Sequence, residues 1–174
     1  MERTEFGLTR SVCACKACVL NCRYMPGYLI PNDLARLIPA GTAPVAWALE
    51  HLDASPGAIV RLRGDSQTIR IPTLVPRTAG DGHACHWHDQ ETGRCRVHAD
   101  APFGCAFFDC KSPPAVMDPT AQYGLMAVYR AWQEDPRSLY AGLWLALHEA
   151  GHRSPPAEVK RAALKEAAYL ARLD

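Results

Sequence analysis

Apolar positions in the last third of the chain recur at the helical period. Asp118-Pro119, Asp135-Pro136 and Ser154-Pro155 each set a capping residue before a proline suited to the first helical position. Behind them, Ala121, Leu125, Val128, Tyr129 and Trp132 share one face. Leu139, Tyr140, Leu143, Trp144 and Leu147 form a second such face, and Val159, Ala163, Ala167 and Leu170 a third. The spacing predicts three antiparallel helices on short connections, their aromatic stripes turned to a core. Upstream the period changes to two. Ala58 to Arg63 and Thr68 to Val75 alternate around Gly64-Asp65-Ser66, which predicts a hairpin. Pro72 puts the second strand at an edge or near its end.

Two short helices are predicted ahead of the hairpin. Pro31-Asn32-Asp33 opens one through Leu34, Leu37 and Ile38, with the Asx side chains as available N-caps. Pro44 opens the other, with Val45, Trp47, Ala48, Leu49 and Leu52 apolar. The stretch up to Arg23 has no clear periodicity. Gly80 to Pro114, rich in Gly, Pro, His and Cys, reads as loop. So long a loop in a compact domain needs something in place of a core, and metal ligation would supply it. The expected fold is a small α+β protein. Residues 1–114 form a metal-stapled irregular region with a hairpin and short helices, and 115–174 form a three-helix extension packed on it, the whole making one structural domain.

Composition narrows the function classes. Hydrophobic residues are 48% of 174, enough for a packed core. The formal charge is +1 and no run of Lys or Arg occurs, so the clustered positive field that nucleic acid or anionic lipid requires is missing. Eight thiolates and two divalent ions would carry the charge to about −3, further from nucleic-acid binding. The opening Met1-Glu2-Arg3-Thr4-Glu5-Phe6 lacks the basic start and apolar stretch of a secretory leader. No segment approaches the ~18 apolar residues of a membrane span. A cytoplasmic protein with no membrane partner is expected, and there eight cysteines point to metal or redox chemistry rather than four disulfides.

The cysteines segregate. Cys13-x-Cys15-x2-Cys18-x3-Cys22 packs four into ten residues, and Cys85-x9-Cys95-x9-Cys105-x4-Cys110 spreads four over 26. Cysteines serving as small hydrophobes would scatter. A metal or cluster needs several deprotonated sulfurs within a few ångström, which short loops provide. Structural zinc usually takes two separate C-x2-C pairs, and only Cys15 and Cys18 have that spacing. A closely spaced run with a further cysteine arriving from elsewhere suits an iron–sulfur cluster of the 4Fe–4S type. The two groups are therefore expected to meet in space and share ligands across the gap, at one centre or two.

Three segments together resemble the YkgJ-like cysteine-cluster family of zinc- or iron-chelating proteins, a module related to one in flagellin lysine methylase. They are Cys15-x2-Cys18-x3-Cys22, then Pro26-Gly27-Tyr28-Leu29-Ile30-Pro31-Asn32-Asp33-Leu34, then Cys95-Arg96-Val97-His98-x3-Pro102-x2-Cys105-x4-Cys110. The resemblance covers about residues 13 to 110 and leaves the C-terminal helices unaddressed. Two departures stand out: Asn21 precedes Cys22 where the family often has a second cysteine, and Ala101-Pro102 replaces Arg-Pro. The resemblance implies an iron–sulfur or zinc centre and no particular reaction.

Other candidates surround this core of chemistry. His83, His86 and His88 flank Cys85, and His98 follows Cys95; they read as surface loop histidines, with ligation or tuning of a centre as the alternative. Asp109 and Lys111 beside Cys110 read as loop-ordering groups. His148-Glu149-Ala150-Gly151-His152 matches H-E-x-x-H, in which two histidines one helical turn apart hold zinc and the glutamate activates water. Gly151 and Pro155 argue that the helix ends too early for this, and the third ligand would have to be Glu158 or Glu166. Three functions thus compete. One is an iron–sulfur protein in electron transfer, redox sensing or support of a modifying enzyme. The second is a structural-zinc module that docks a protein partner, and the third is a metallohydrolase.

Overall fold

The computed structural model describes residues 15–61, 67–78, 84–107, 114–134 and 137–172, except for the side chains of 61, 114–121 and 134. The chain is a small α+β fold. Its helices are α1 (Lys16–Tyr24), α2 (Pro31–Leu37), α3 (Pro44–His51), α4 (Phe103–Ala106), α5 (Pro114–Glu134), α6 (Leu139–Glu149) and α7 (Ala157–Leu170). Its strands are β1 (Leu52–Arg61), β2 (Thr68–Pro76), β3 (His88–Asp89) and β4 (Arg94–Cys95). Among the described residues no helix is long and apolar enough to cross a membrane.

The β1–β2 hairpin is the centre of the molecule. It is antiparallel, running from Leu52 opposite Pro76 to Arg61 opposite Thr68, and its register slips between Ser55 and Ala58. There Pro56 and Gly57 face Pro72, so a proline without an N–H occupies the rung where the ladder is broken anyway. Gly57 takes φ 77°, and a Cβ on it would meet the Ile71 carbonyl oxygen at 1.7 Å. Only glycine fits this bulge. Two tryptophans close over it: the Trp144 indole N–H donates to the Ser55 carbonyl at 2.8 Å, and that of Trp132 to the Pro72 carbonyl at 3.1 Å. The Gly64-Asp65-Ser66 turn lies outside the described residues.

Helices wrap this hairpin. Helices α5 and α6 pack on it and on each other, α3 packs on β1 and α6, and α7 packs on β1 and α1. The core is Leu29, Leu34, Leu52, Ile71, Leu74, Val128, Tyr140, Leu143 and Leu147. At its middle the Tyr140 hydroxyl accepts from the Leu74 N–H and donates to the Leu29 carbonyl, both at 2.8 Å. A helix, a strand and the α1–α2 link therefore meet on one buried oxygen.

Several expectations need correction. The segment around Cys15 to Cys22 is helical: α1 carries cysteines on the face where other helices carry leucine, which hides its period. Helix α5 starts at Pro114 and runs through Pro119, because an earlier proline already serves as a helix opener. Helix α6 starts at Leu139 with Ser138 as cap, its hydroxyl accepting from the Ala141 N–H at 3.3 Å; Asp135-Pro136 lies outside the described residues. The three C-terminal helices are present, but α7 packs chiefly on β1 and α1, and its expected core positions Val159 and Leu170 are more than half exposed. The face it buries is Lys160 with Ala163, Leu164, Ala167 and Ala168 beside it. Leu52 leaves α3 and opens β1, so the hairpin begins six residues earlier than its alternation suggested.

Candidate metal centre

Two backbone segments build the floor of the site, and their sequences explain why they meet. Asp33, in the first turn of α2, is buried, and its carboxylate accepts from the Ile30 N–H at 2.9 Å and the Phe103 N–H at 2.8 Å. It acts from the third helical position and not as the N-cap, a place Ile30 holds without a side-chain bond. Arg36 pairs with Asp33 at 2.8 Å and donates to the Ala101 carbonyl at 2.9 Å. The Pro102-to-Cys105 turn is thus tied to α2. Gly27 and Gly104 let the two backbones touch: a Cβ on Gly27 would lie 2.1 Å from the Gly104 carbonyl carbon. The Gly104 N–H donates to the Tyr28 carbonyl at 2.9 Å, and the Gly27 N–H reaches the Cys105 sulfur at 3.1 Å.

Four thiols from four places in the chain converge on this floor. Cys22 comes from α1, Cys85 from the start of the irregular segment, Cys95 from β4 and Cys105 from α4. Burial pushes the Cys22 thiol up, and Cys95 adds to it. Cys85 is pushed up to about 12 by burial, with smaller contributions from Cys95 and Cys22. Burial also raises Cys95. Cys105 is half-buried as a residue, yet burial at its sulfur carries it well above the ordinary value, and Cys85, Cys22 and Cys95 push further. Every pair within the quartet therefore feels the other's charge. Backbone amides oppose this: those near Trp87 and His88 hold Cys85 down and that of Val97 holds Cys95 down, while the Gly27 N–H donates to the Cys105 sulfur at 3.1 Å; the His88 N–H makes its own hydrogen bond to the Cys85 carbonyl at 2.8 Å.

Such a group has two stable states. With no cation the thiols stay protonated, since four buried negative charges would repel one another at great cost. With a thiophilic ion they ionise, and the aimed N–H groups then make strong bonds to sulfur. A purely apolar packing of cysteines would have no use for amides set beside three sulfurs, so the donor set fits a sulfur-ligated ion or cluster. Among the described residues, no three His, Cys, Asp or Glu groups are already closed to metal-ligand spacing.

The remaining candidates divide. Cys15 caps α1, and Cys15, Cys18 and Cys22 fall at i, i+3 and i+7, one line along that helix. Cys13, Cys110, His83, Asp109 and Lys111 lie outside the described residues. His88 is not a surface histidine: it is 8% exposed, sits opposite Cys95 in the β3–β4 pair, and neither ring nitrogen has a hydrogen-bond partner among the described residues. Sequence reasoning undervalued it because a histidine in a Gly-rich loop carries no burial signal. His86 is half-buried against Trp87, ring centroids 4.9 Å apart; burial and then His51 hold it down at about 4.

The H-E-x-x-H match does not place its two imidazoles on one turn of helix. Helix α6 ends at Glu149, Gly151 turns the chain with φ 82°, and the His152 N–H folds back to the Leu147 carbonyl at 2.9 Å. His152 and Ser154 then bond to Ala54, adding a short parallel bridge beside β1. The His148 ring stacks on Trp144 at 4.9 Å, and Glu158 pairs with Arg70 at 3.2 Å.

One cation overlooks the thiol group. Lys160 of α7 is buried and within charge range of Asp53, Cys85 and Cys105; burial lowers it to about 8, against the pull of those three. Nothing in the α7 sequence pattern marked this lysine as inward-facing. Comparisons with protein-family models, curated proteins and solved structures find no match to this chain.

Proposed function

We propose that this is a metal-binding protein whose centre is held by Cys22, Cys85, Cys95 and Cys105, and that the bound group is an iron–sulfur cluster of the 4Fe–4S type. The observation that carries this reading is the mutual electrostatic influence of four thiols drawn from four places in the chain, with the Gly27 N–H seated on the Cys105 sulfur at 3.1 Å. The resemblance to the YkgJ-like family implies an iron–sulfur or zinc centre, which is consistent with this reading. When bound, the cluster supplies one-electron chemistry, which suits electron transfer, redox sensing or support of a modifying enzyme. The chain's part is to exclude water from the sulfurs, fix their spacing through the Asp33 and Gly27–Gly104 contacts, and offset charge with backbone amides.

Structural zinc is the second reading. It is favoured by the way the Cys85 and Cys95 loops each fold their own amides toward their sulfur, which suits one tetrahedral ion as well as a cubane. The test is a set of single Cys→Ser variants assayed for bound metal after anaerobic purification. Variants at 22, 85, 95 and 105 should each lose most of the metal. Full metal retention in Cys85→Ser and Cys105→Ser together would overturn the assignment.

A further inference from the structure

Beside the thiol group lies a cavity of about 240 Å³ that the metal reading does not use. Its walls are mostly apolar: Met25, Pro26, Tyr28, Val75 and Leu125 contribute, with the β1–β2 bulge on the opposite side. Lys160 lines it and is only 9% exposed. Among the described residues this ammonium forms no hydrogen bond and no ion pair, although Asp53, Cys85 and Cys105 lie within its electrostatic range. Asp53 attracts this ammonium without closing a direct ion pair on it, so its hydrogen-bonding capacity faces the cavity unfilled and an entering anion would complete it.

A second observation converges on the same wall. Ala157, the first residue of the 14-residue helix α7, also lines the cavity. Pro156 at its N-cap offers no side-chain acceptor; the Val159 and Lys160 N–H groups return to the Pro156 carbonyl at 3.1 and 3.2 Å and Glu158 takes its own N–H, which leaves the Ala157 N–H without a partner among the described residues. The positive end of the helix therefore borders the cavity, next to Lys160 and with Arg161 on the same wall. Ser55 and Thr73 add hydroxyls on the hairpin side.

We infer that this cavity binds a small carboxylate with a short apolar body, its charge held by Lys160 and the start of α7 and its body against Met25, Tyr28 and Leu125. Inorganic phosphate shares the charge but would leave the apolar walls uncovered. The site stands on its own residues whichever ion the cysteines hold, and its failure would leave the metal assignment untouched.

The test is titration calorimetry on the full chain as purified, with benzoate and hexanoate as probes, benzamide and hexanamide as neutral matches, and phosphate as the body-free anion. The acids should bind about tenfold or more tightly than their amides, and more tightly than phosphate. Lys160→Met should abolish the preference for acid over amide while circular dichroism and metal content stay as in the parent. Equal binding of acid and amide, no binding of either acid, or an unchanged preference in a folded Lys160→Met protein would each overturn the proposal. Should that variant fail to fold, the acid-to-amide ratio of the parent still decides.

Discussion

Replacing Asp33 tests whether the cysteine-bearing turn is held by one buried carboxylate. In the native protein its two oxygens take the Ile30 N–H, the Phe103 N–H and the Arg36 guanidinium, all within 2.9 Å, and the residue is 5% exposed. Asp33→Ala strands two buried backbone donors. Each costs about 1–3 kcal/mol when left unmade, so the loss should be about 2–6 kcal/mol. That is a large share of a small domain's ~5–15 kcal/mol. Asp33→Asn keeps one oxygen for the two amides but turns an NH₂ toward Arg36, and should cost about half as much. Urea unfolding of the three proteins, each with the same metal loading, gives the values. Because Phe103 starts the helix that carries Cys105, Asp33→Ala should also lower the bound metal. A loss below about 0.5 kcal/mol, which is the scatter of an ordinary surface change, would refute the argument.

Other substitutions probe different joints. Tyr140→Phe removes one hydroxyl and leaves the Leu74 N–H and the Leu29 carbonyl unpaired in the core; a loss of about 1–3 kcal/mol is expected in urea. Gly57→Ala forces a Cβ onto the Ile71 carbonyl at a positive φ, so the melting temperature should fall by several degrees or more, whereas Gly142→Ala, at an open helical position, should leave it unchanged or raise it by a few degrees. Stripping the metal with a strong chelator should loosen the α1 and 84–107 region first, with loss of near-ultraviolet dichroism and much of the helical signal kept. An unchanged melting curve after complete removal would show that metal is no part of the fold. Glu149→Gln should change neither metal content nor stability, since the end of α6 does not build a zinc site.

What could be read in the sequence follows from where the physical signal is local. The hairpin, α2, α3 and the faces of α5 and α6 announce themselves through period and proline, and these elements stand close to where the pattern put them. Helix α1 does not, because Cys15, Cys18 and Cys22 replace the apolar stripe that identifies a helix. Helix α7 misleads for the opposite reason: its alanine-rich pattern fits several faces, and the one that is buried centres on a lysine. The thiol quartet was only half legible. Spacing groups the cysteines, but which of them meet is set by contacts 70 or more residues apart, such as Asp33 with Phe103 and Gly27 with Cys105.

The most direct test of the central claim is the iron, zinc and acid-labile sulfide content per chain of protein purified without oxygen, with an absorption spectrum of the same sample. Iron and sulfide in roughly equal amounts, about four of each per centre, with a broad visible band that Cys85→Ser abolishes, is the result this account predicts. Zinc alone, with no sulfide and no visible band, would contradict the cluster and leave the cysteines as scaffold. Absence of any metal from carefully loaded protein would contradict the centre itself.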